Sequence, residues 1–190
     1  MRWRLVDRID GLLPGERAWG QVNFDPALPL FQDHFPAFPV VPGVLLLESL
    51  AQLSGKLIGL TVRLERGDWP FPVLSMMNGV KFRRFVPPGT TLDLHSELVE
   101  LREEMAVCRV QGKVEGKVHV GAEQIFVFNA VPLPDAAARA AVEEAERAEL
   151  RRLWRVPHGA EAPPQDQETS QLPGASGTWG TRGLGGAAER

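Results

Sequence analysis

A single cysteine, Cys108, is all the thiol chemistry in a chain of 190 residues. That rules out an internal disulfide and a CxxC pair, and with them an oxidised secreted scaffold or a structural zinc site. Tyrosine is absent altogether, so any aromatic gate or phenolic acid must be another side chain. An excess of one charge is missing as well. The balance of 21 Lys and Arg against 24 Asp and Glu leaves −3, too little to mark a nucleic-acid or anionic membrane surface. Nor is there an unbroken hydrophobic run. The densest stretch, residues 40–60, is interrupted by Pro42, Gly43, Glu48, Gln52 and Lys56 and reads as a buried helix instead of a membrane span. The opening MRWRLVDRID has no apolar stretch that would serve for export. These absences predict a cytoplasmic protein with no nucleic-acid partner, no membrane span, no metal and no organic cofactor.

What is present predicts one ordinary domain with appendages, since 44% of the residues are hydrophobic and can fill a packed interior. Residues 3–9 and 17–24 carry β-type side chains on either side of Pro14-Gly15, a strong turn signal, and predict two strands of a meander. Residues 25–42 contain Pro26, Pro29, Pro36, Pro39 and Pro42 with no sustained period, which predicts a rigid loop and no regular element. Residues 43–64 are apolar on nearly every helical face, the pattern of a buried helix. After a loop over residues 66–72 the period falls to two, predicting strands at 80–86, 91–101, 105–114 and 117–128. One buried helix with an antiparallel meander is an α+β layout.

Beyond Pro132 the composition turns to Ala, Glu and Arg and predicts a separate helix over residues 136–154. Val142, Leu150, Leu153 and Trp154 are its expected apolar stripe. After Pro157 the chain is rich in Gly, Pro, Ser, Gln and Glu, and its few apolar residues cannot offset the entropy of ordering it. The expected organisation is therefore a domain over 1–132, an appended helix over 133–156 and a disordered tail over 157–190.

The chemistry concentrates in residues 33–52, DHFPAFPVVPGVLLLESLAQ. Glu48 is set among leucines, where an ionised carboxylate loses hydration and the protonated acid is favoured, so it is the expected proton donor. Gln52, one turn later, shares its face and is expected to orient it by a hydrogen bond. His34 stands in the proline-braced loop, and imidazole is the usual side chain for taking a proton near neutral pH. At Pro42-Gly43 the first helical N–H groups are unpaired and partly positive, and Gly admits a close approach, so Gly43 is the expected donor to a developing oxyanion. Elsewhere, His95 and His119 fall in strand patterns and read as surface or satisfied positions, and Cys108 reads as buried packing. Lys81, Arg83 and Arg84 form a basic group with the potential to dock an acidic partner, against a simple solvated strand.

The motifs His34-Phe35-Pro36, Pro42-Gly43-Val44-Leu45 and Glu48-Ser49-Leu50-Ala51-Gln52, in this order and without a gap, resemble the 3-hydroxyacyl-(acyl carrier protein) dehydratases of type II fatty acid synthesis, closer to the FabZ branch. The resemblance extends upstream to Leu5-Val6-Asp7-Arg8 and downstream through residues 81–89, covering about residues 3–130. It implies a hot-dog fold, with an antiparallel sheet wrapped around a long central helix. It also implies a homodimer or higher homo-oligomer with active sites between protomers, and an acyl carrier protein as partner. By the same resemblance His34 removes the α-proton, Glu48 protonates the leaving 3-hydroxyl and the Gly43 N–H binds the thioester carbonyl. Departures from the pattern are Ala37 after His-Phe-Pro, Asp33 before His34, no leading helix, and no tyrosine, which makes Phe71 the expected substitute gate. The alternatives are a hot-dog hydratase or thioesterase acting on acyl-CoA, or a non-catalytic acyl-binding subunit.

Overall fold

The hairpin announced by Pro14-Gly15 forms, and its short turn decides where its strands lie. In the computed structural model, which describes residues 4–154, β1 spans Arg8–Leu13 and β2 spans Arg17–Asn23. Leu13 pairs with Arg17, and the Glu16 N–H donates to the Leu13 carbonyl at 3.0 Å. A tight turn fixes register, so the residues directly before it must be strand, and the strand expected at 3–9 begins instead at Arg8. Gly11 weakens the strand signal, yet it is required there because the Trp19 indole lies across it; a Cβ on Gly11 would stand 2.0 Å from that ring. The tail after Pro157 and residues 1–3 lie outside the described residues.

Helix α1 runs Gly43–Arg66, two residues past expectation. Strands β3 (Val73–Phe82), β4 (Thr91–Leu101), β5 (Met105–Val114) and β6 (Lys117–Val127) follow. β4 and β5 match the alternation at both ends. β3 does not: the strand expected at 80–86 starts at Val73 and stops at Phe82. Beyond Phe82 the chain leaves the sheet, because the Val86 carbonyl accepts from the Val41 N–H at 2.8 Å and Pro87-Pro88 bring no N–H to a ladder.

The strands form one antiparallel sheet in the order β1-β2-β4-β5-β6-β3. α1 packs against all six strands, so the sheet wraps the helix, as the resemblance implies. Leu50, Leu53, Leu57 and Ile58 are wholly buried against Leu92, Leu94, Val110, Val120 and Phe126, each side chain contributing about 1.5–3 kcal/mol. By length and composition α1 would pass for a membrane span, but 67% of its apolar window is buried inside the fold. A small polar cluster crosses this core. Ser54 Oγ meets Ser96 Oγ at 2.8 Å, and the Gln124 amide donates to the Leu47 carbonyl at 2.9 Å. Burial pushes the neighbouring Cys108 thiol up to about 11, against the hydrogen bonds of Ser96 and Ser54. Cys108 is therefore an inert packing residue.

Helix α2, Ala136–Leu153, is capped by Asp135, whose carboxylate accepts from the Ala138 N–H at 2.8 Å. Leu150 and Leu153 join the same core as α1, while Glu146 and Glu143 pair with Lys56 and Arg63. Val142, expected in the stripe, is 38% exposed.

Candidate active site

A 3-10 turn over Pro29–Gln32, which the proline count had argued against, sets up His34. The His34 N–H donates to the Leu30 carbonyl at 3.1 Å and the Val40 N–H donates to the His34 carbonyl at 3.0 Å. The imidazole is held as firmly. Nδ1 lies 3.0 Å from the Val40 carbonyl, and the ring stacks on Phe35 with centroids 4.3 Å apart. A carbonyl only accepts, so Nδ1 carries the hydrogen, and in the neutral ring the lone pair is on Nε2. His34 is half-buried, with the tautomer a general base requires.

Glu48 stands with Val44 and Gln52 on one stripe of α1, at i, i+4 and i+8, and this stripe is the less buried one. Glu48 is half-buried, not enclosed by leucine. Its leucine neighbours in sequence face the core from other sides of the helix, because residues one and two apart do not share a face. The expected bond with Gln52 forms: Nε2 donates to Glu48 Oε1 at 3.0 Å. A second contact was not foreseen. The Leu5 N–H donates to Gln52 Oε1 at 2.8 Å, so the amide is fixed with its NH2 toward Glu48. A backbone N–H carries no residue identity, and no sequence signal could have named Leu5.

Gly43 opens α1 behind Pro42, which supplies no side-chain cap. The space where a Cβ would stand is taken by the Phe82 ring, 2.6 Å from that position. The close approach that Gly43 allows is therefore that of Phe82. Phe85 meets Phe38 edge-on with centroids 5.9 Å apart, and Val86 bonds Val41. The segment after β3 is thus laid along the loop that carries His34. Lys81, Arg83 and Arg84 are all exposed there; Lys81 lies on β3, whereas Arg83 and Arg84 follow it in the segment that leaves the sheet. Arg84 also donates to the Val118 carbonyl at 3.4 Å. Phe71, the expected gate, is buried, with the Arg139 guanidinium 4.7 Å from its ring centre. His119 is satisfied by the Lys117 carbonyl at 2.8 Å. His95 is half-buried on the outer face of the sheet, its pKa lowered by burial and then by Lys113.

Fold and site together define a hot-dog protein that carries a histidine in a braced loop and a glutamate on the central helix. The FabA-like domain matches residues 1–124, and the chain belongs to that family. It is 37% identical over 124 residues to the 3-hydroxyacyl-(acyl-carrier-protein) dehydratase FabZ of Clostridium acetobutylicum, covering 65% of this chain and 86% of that one. It is 39% identical over 124 residues to the enzyme of the same name from Syntrophotalea carbinolica, covering 65% and 83%. Among solved structures it is similar to the dehydratase heterocomplex ApeI:P from Xenorhabdus doucetiae, with a TM-score of 0.55, 15% identity and coverage of 74% and 89%. A hypothetical thioesterase with coenzyme A from Streptococcus pneumoniae has a TM-score of 0.50, 13% identity and coverage of 64% and 87%. The likeness to these two structures is one of fold.

Proposed function

We propose that the protein is a cytoplasmic 3-hydroxyacyl-(acyl carrier protein) dehydratase of fatty acid biosynthesis, acting as a homodimer with His34 and Glu48 as its base and acid. The observation that carries the assignment of roles is the Nδ1–H bond from His34 to the Val40 carbonyl, which leaves Nε2 to accept a proton. His34 Nε2 takes the α-proton of the thioester, and the electron pair moves onto the thioester oxygen. The Gly43 N–H, unpaired within the helix and at its positive end, stabilises that charge. The enolate then re-forms the carbonyl, C2=C3 forms, the C3–O bond breaks, and Glu48 protonates the departing hydroxyl to release water. Return of the His34 proton to Glu48, directly or through water, restores the starting state. Incubation of the purified protein with 3-hydroxyacyl thioesters on acyl carrier protein and on coenzyme A, followed by enoyl absorbance, tests this. Enoyl formation faster on the carrier protein is expected; thioester hydrolysis that persists in a His34→Ala variant would replace dehydration by a thioesterase reading.

Two surface features support the partners. β3 is an edge strand with Met76, Met77, Val80 and Phe82 exposed, and Phe82 meets α1 beside the 70%-exposed Val44. A long apolar edge of this kind invites pairing with a second copy. Beside it, Lys81, Arg83 and Arg84 offer positive charge next to the exposed Phe85, which meets Phe38, suited to an acidic carrier. Reversing the three charges to Glu is expected to raise KM for the carrier-bound substrate about tenfold and flatten its salt dependence. The kcat should stay close to wild type, and so should the rate on a pantetheine thioester. An equal loss on both substrates would show that the patch does not dock the carrier.

A further inference from the structure

Gln52 orients Glu48, and Leu5 orients Gln52. Leu5 itself lies in the irregular segment before β1, where a chain end frays unless it is tied down. On one side this segment is tied to β2: the Asp7 N–H donates to the Gln21 carbonyl at 2.9 Å, and the Asp7 carboxylate accepts from the Asn23 N–H at 2.7 Å. On the other side the ties come from the C-terminal helix. The Arg4 guanidinium pairs with Glu149 at 3.3 Å, and Ile9 forms a parallel bridge with Trp154 at the end of α2. Leu5 sits between these two anchors.

Glu149 is built as an anchor. Its side chain is 14% exposed, and its two oxygens accept from Arg152 at 2.8 and 3.1 Å. The Arg152 hydrogen bonds, helped by the charges of Arg152, Arg4 and Lys56, outweigh its burial and hold its carboxyl below the usual carboxylate range. Glu149 is therefore anionic at neutral pH. α2 in turn is seated on α1 through Lys56–Glu146 and Arg63–Glu143 and through the buried Leu150 and Leu153. The route from α2 to Glu48 is thus continuous: Glu149, Arg4, the Leu5 N–H, the Gln52 amide, the Glu48 carboxyl. The Leu5 N–H holds the Gln52 oxygen on the side away from Glu48, so displacing it weakens the placement of the NH2 that Glu48 receives.

We propose that α2, which lies beyond the residues matched by the family, is a positioning element for the catalytic acid, holding the segment around Leu5 so that Gln52 presents its NH2 to Glu48. The proposal rests on the dehydratase reading of Glu48. It predicts that Arg4 and Gln52 act through one path. In a double-mutant cycle on the full-length enzyme, Arg4→Ala and Gln52→Ala are each expected to lower kcat on the order of tenfold, since small misplacements of a reacting group are costly. KM for the carrier-bound thioester should stay within about twofold, and the double variant should be no slower than the slower single variant. Arg4→Lys, which keeps a cation opposite Glu149, is expected to recover most of kcat, and Glu149→Gln to reproduce Arg4→Ala from the helix side. Multiplying effects in the double variant, or wild-type kcat in Arg4→Ala, would overturn the proposal. Glu48→Gln measured alongside separates the two ideas. An inactive Glu48→Gln with independent Arg4 and Gln52 effects sinks only the positioning role, whereas an active Glu48→Gln removes the acid itself.

Discussion

Glu48→Gln and His34→Ala are each expected to lower turnover by roughly two to four orders of magnitude, the usual effect of losing a general acid or base. The two losses have different origins. Gln at 48 still accepts a hydrogen bond from Gln52 and still fills the same volume, so the fold and KM should hold while the transferable proton is gone. Ala at 34 removes the ring stacked on Phe35 and the Nδ1 bond to Val40, so its thermal midpoint must be checked beside its rate. A folded variant of either kind that keeps wild-type turnover takes that residue out of the mechanism. The proposed dimer adds a sharper expectation. If each site draws its histidine from one protomer and its glutamate from the other, a mixed dimer of the two inactive variants contains one intact site and one doubly defective site. Equal mixing with free exchange then restores about a quarter of wild-type turnover, because half of the dimers are mixed and half of their sites are whole. Proven subunit exchange with no recovered activity would place both residues of a site in one protomer.

Truncation after Pro134 is the second large effect. It removes Leu150 and Leu153 from the core, the Asp135 cap, the ion pairs to Lys56 and Arg63, and the Trp154 bridge to Ile9. The exposed ion pairs contribute little, but two buried leucines are worth roughly 3–6 kcal/mol together. For a domain of this size that corresponds to a fall of roughly 10–20 °C in thermal midpoint. Calorimetric melts and light scattering on the truncated protein are the check, and a midpoint within about two degrees of the full chain would mean that α2 contributes no stability. Removal of only the residues after Pro157, which composition alone marks as a tail, is expected to leave the midpoint and the rate nearly unchanged.

The strands legible from the sequence are those with one face in the core. β4 reads eBiBiB over its first six residues, and alternation located both of its ends. β3 was misplaced because it is an edge strand exposed over most of its length, so no buried face imposes a period. β1 was misplaced for another reason: register follows from the turn at Pro14-Gly15, and Gly11 hides a strand position that only the Trp19 ring explains. In the site, the order of motifs from His34 to Gln52 was legible, as was the bond between Gln52 and Glu48, because helical spacing is a local property. The burial of Glu48 was misjudged, since sequence neighbours on a helix are not spatial neighbours.

By itself, then, the sequence determined the residue types for the chemistry, their spacing along loop and helix, and the α+β layout, all of which depend on contacts within a few residues. Only the tertiary structure decided which nitrogen of His34 keeps its proton, which end of the Gln52 amide faces Glu48, and that Phe82, rather than open space, adjoins Gly43. The first depends on one backbone carbonyl six residues along the loop, the second on a backbone N–H 47 residues away, and the third on a ring from the far edge of the sheet. Backbone donors and acceptors are the same for nearly every residue type, so their partners are chosen by the packing of distant segments and by nothing that the local sequence records.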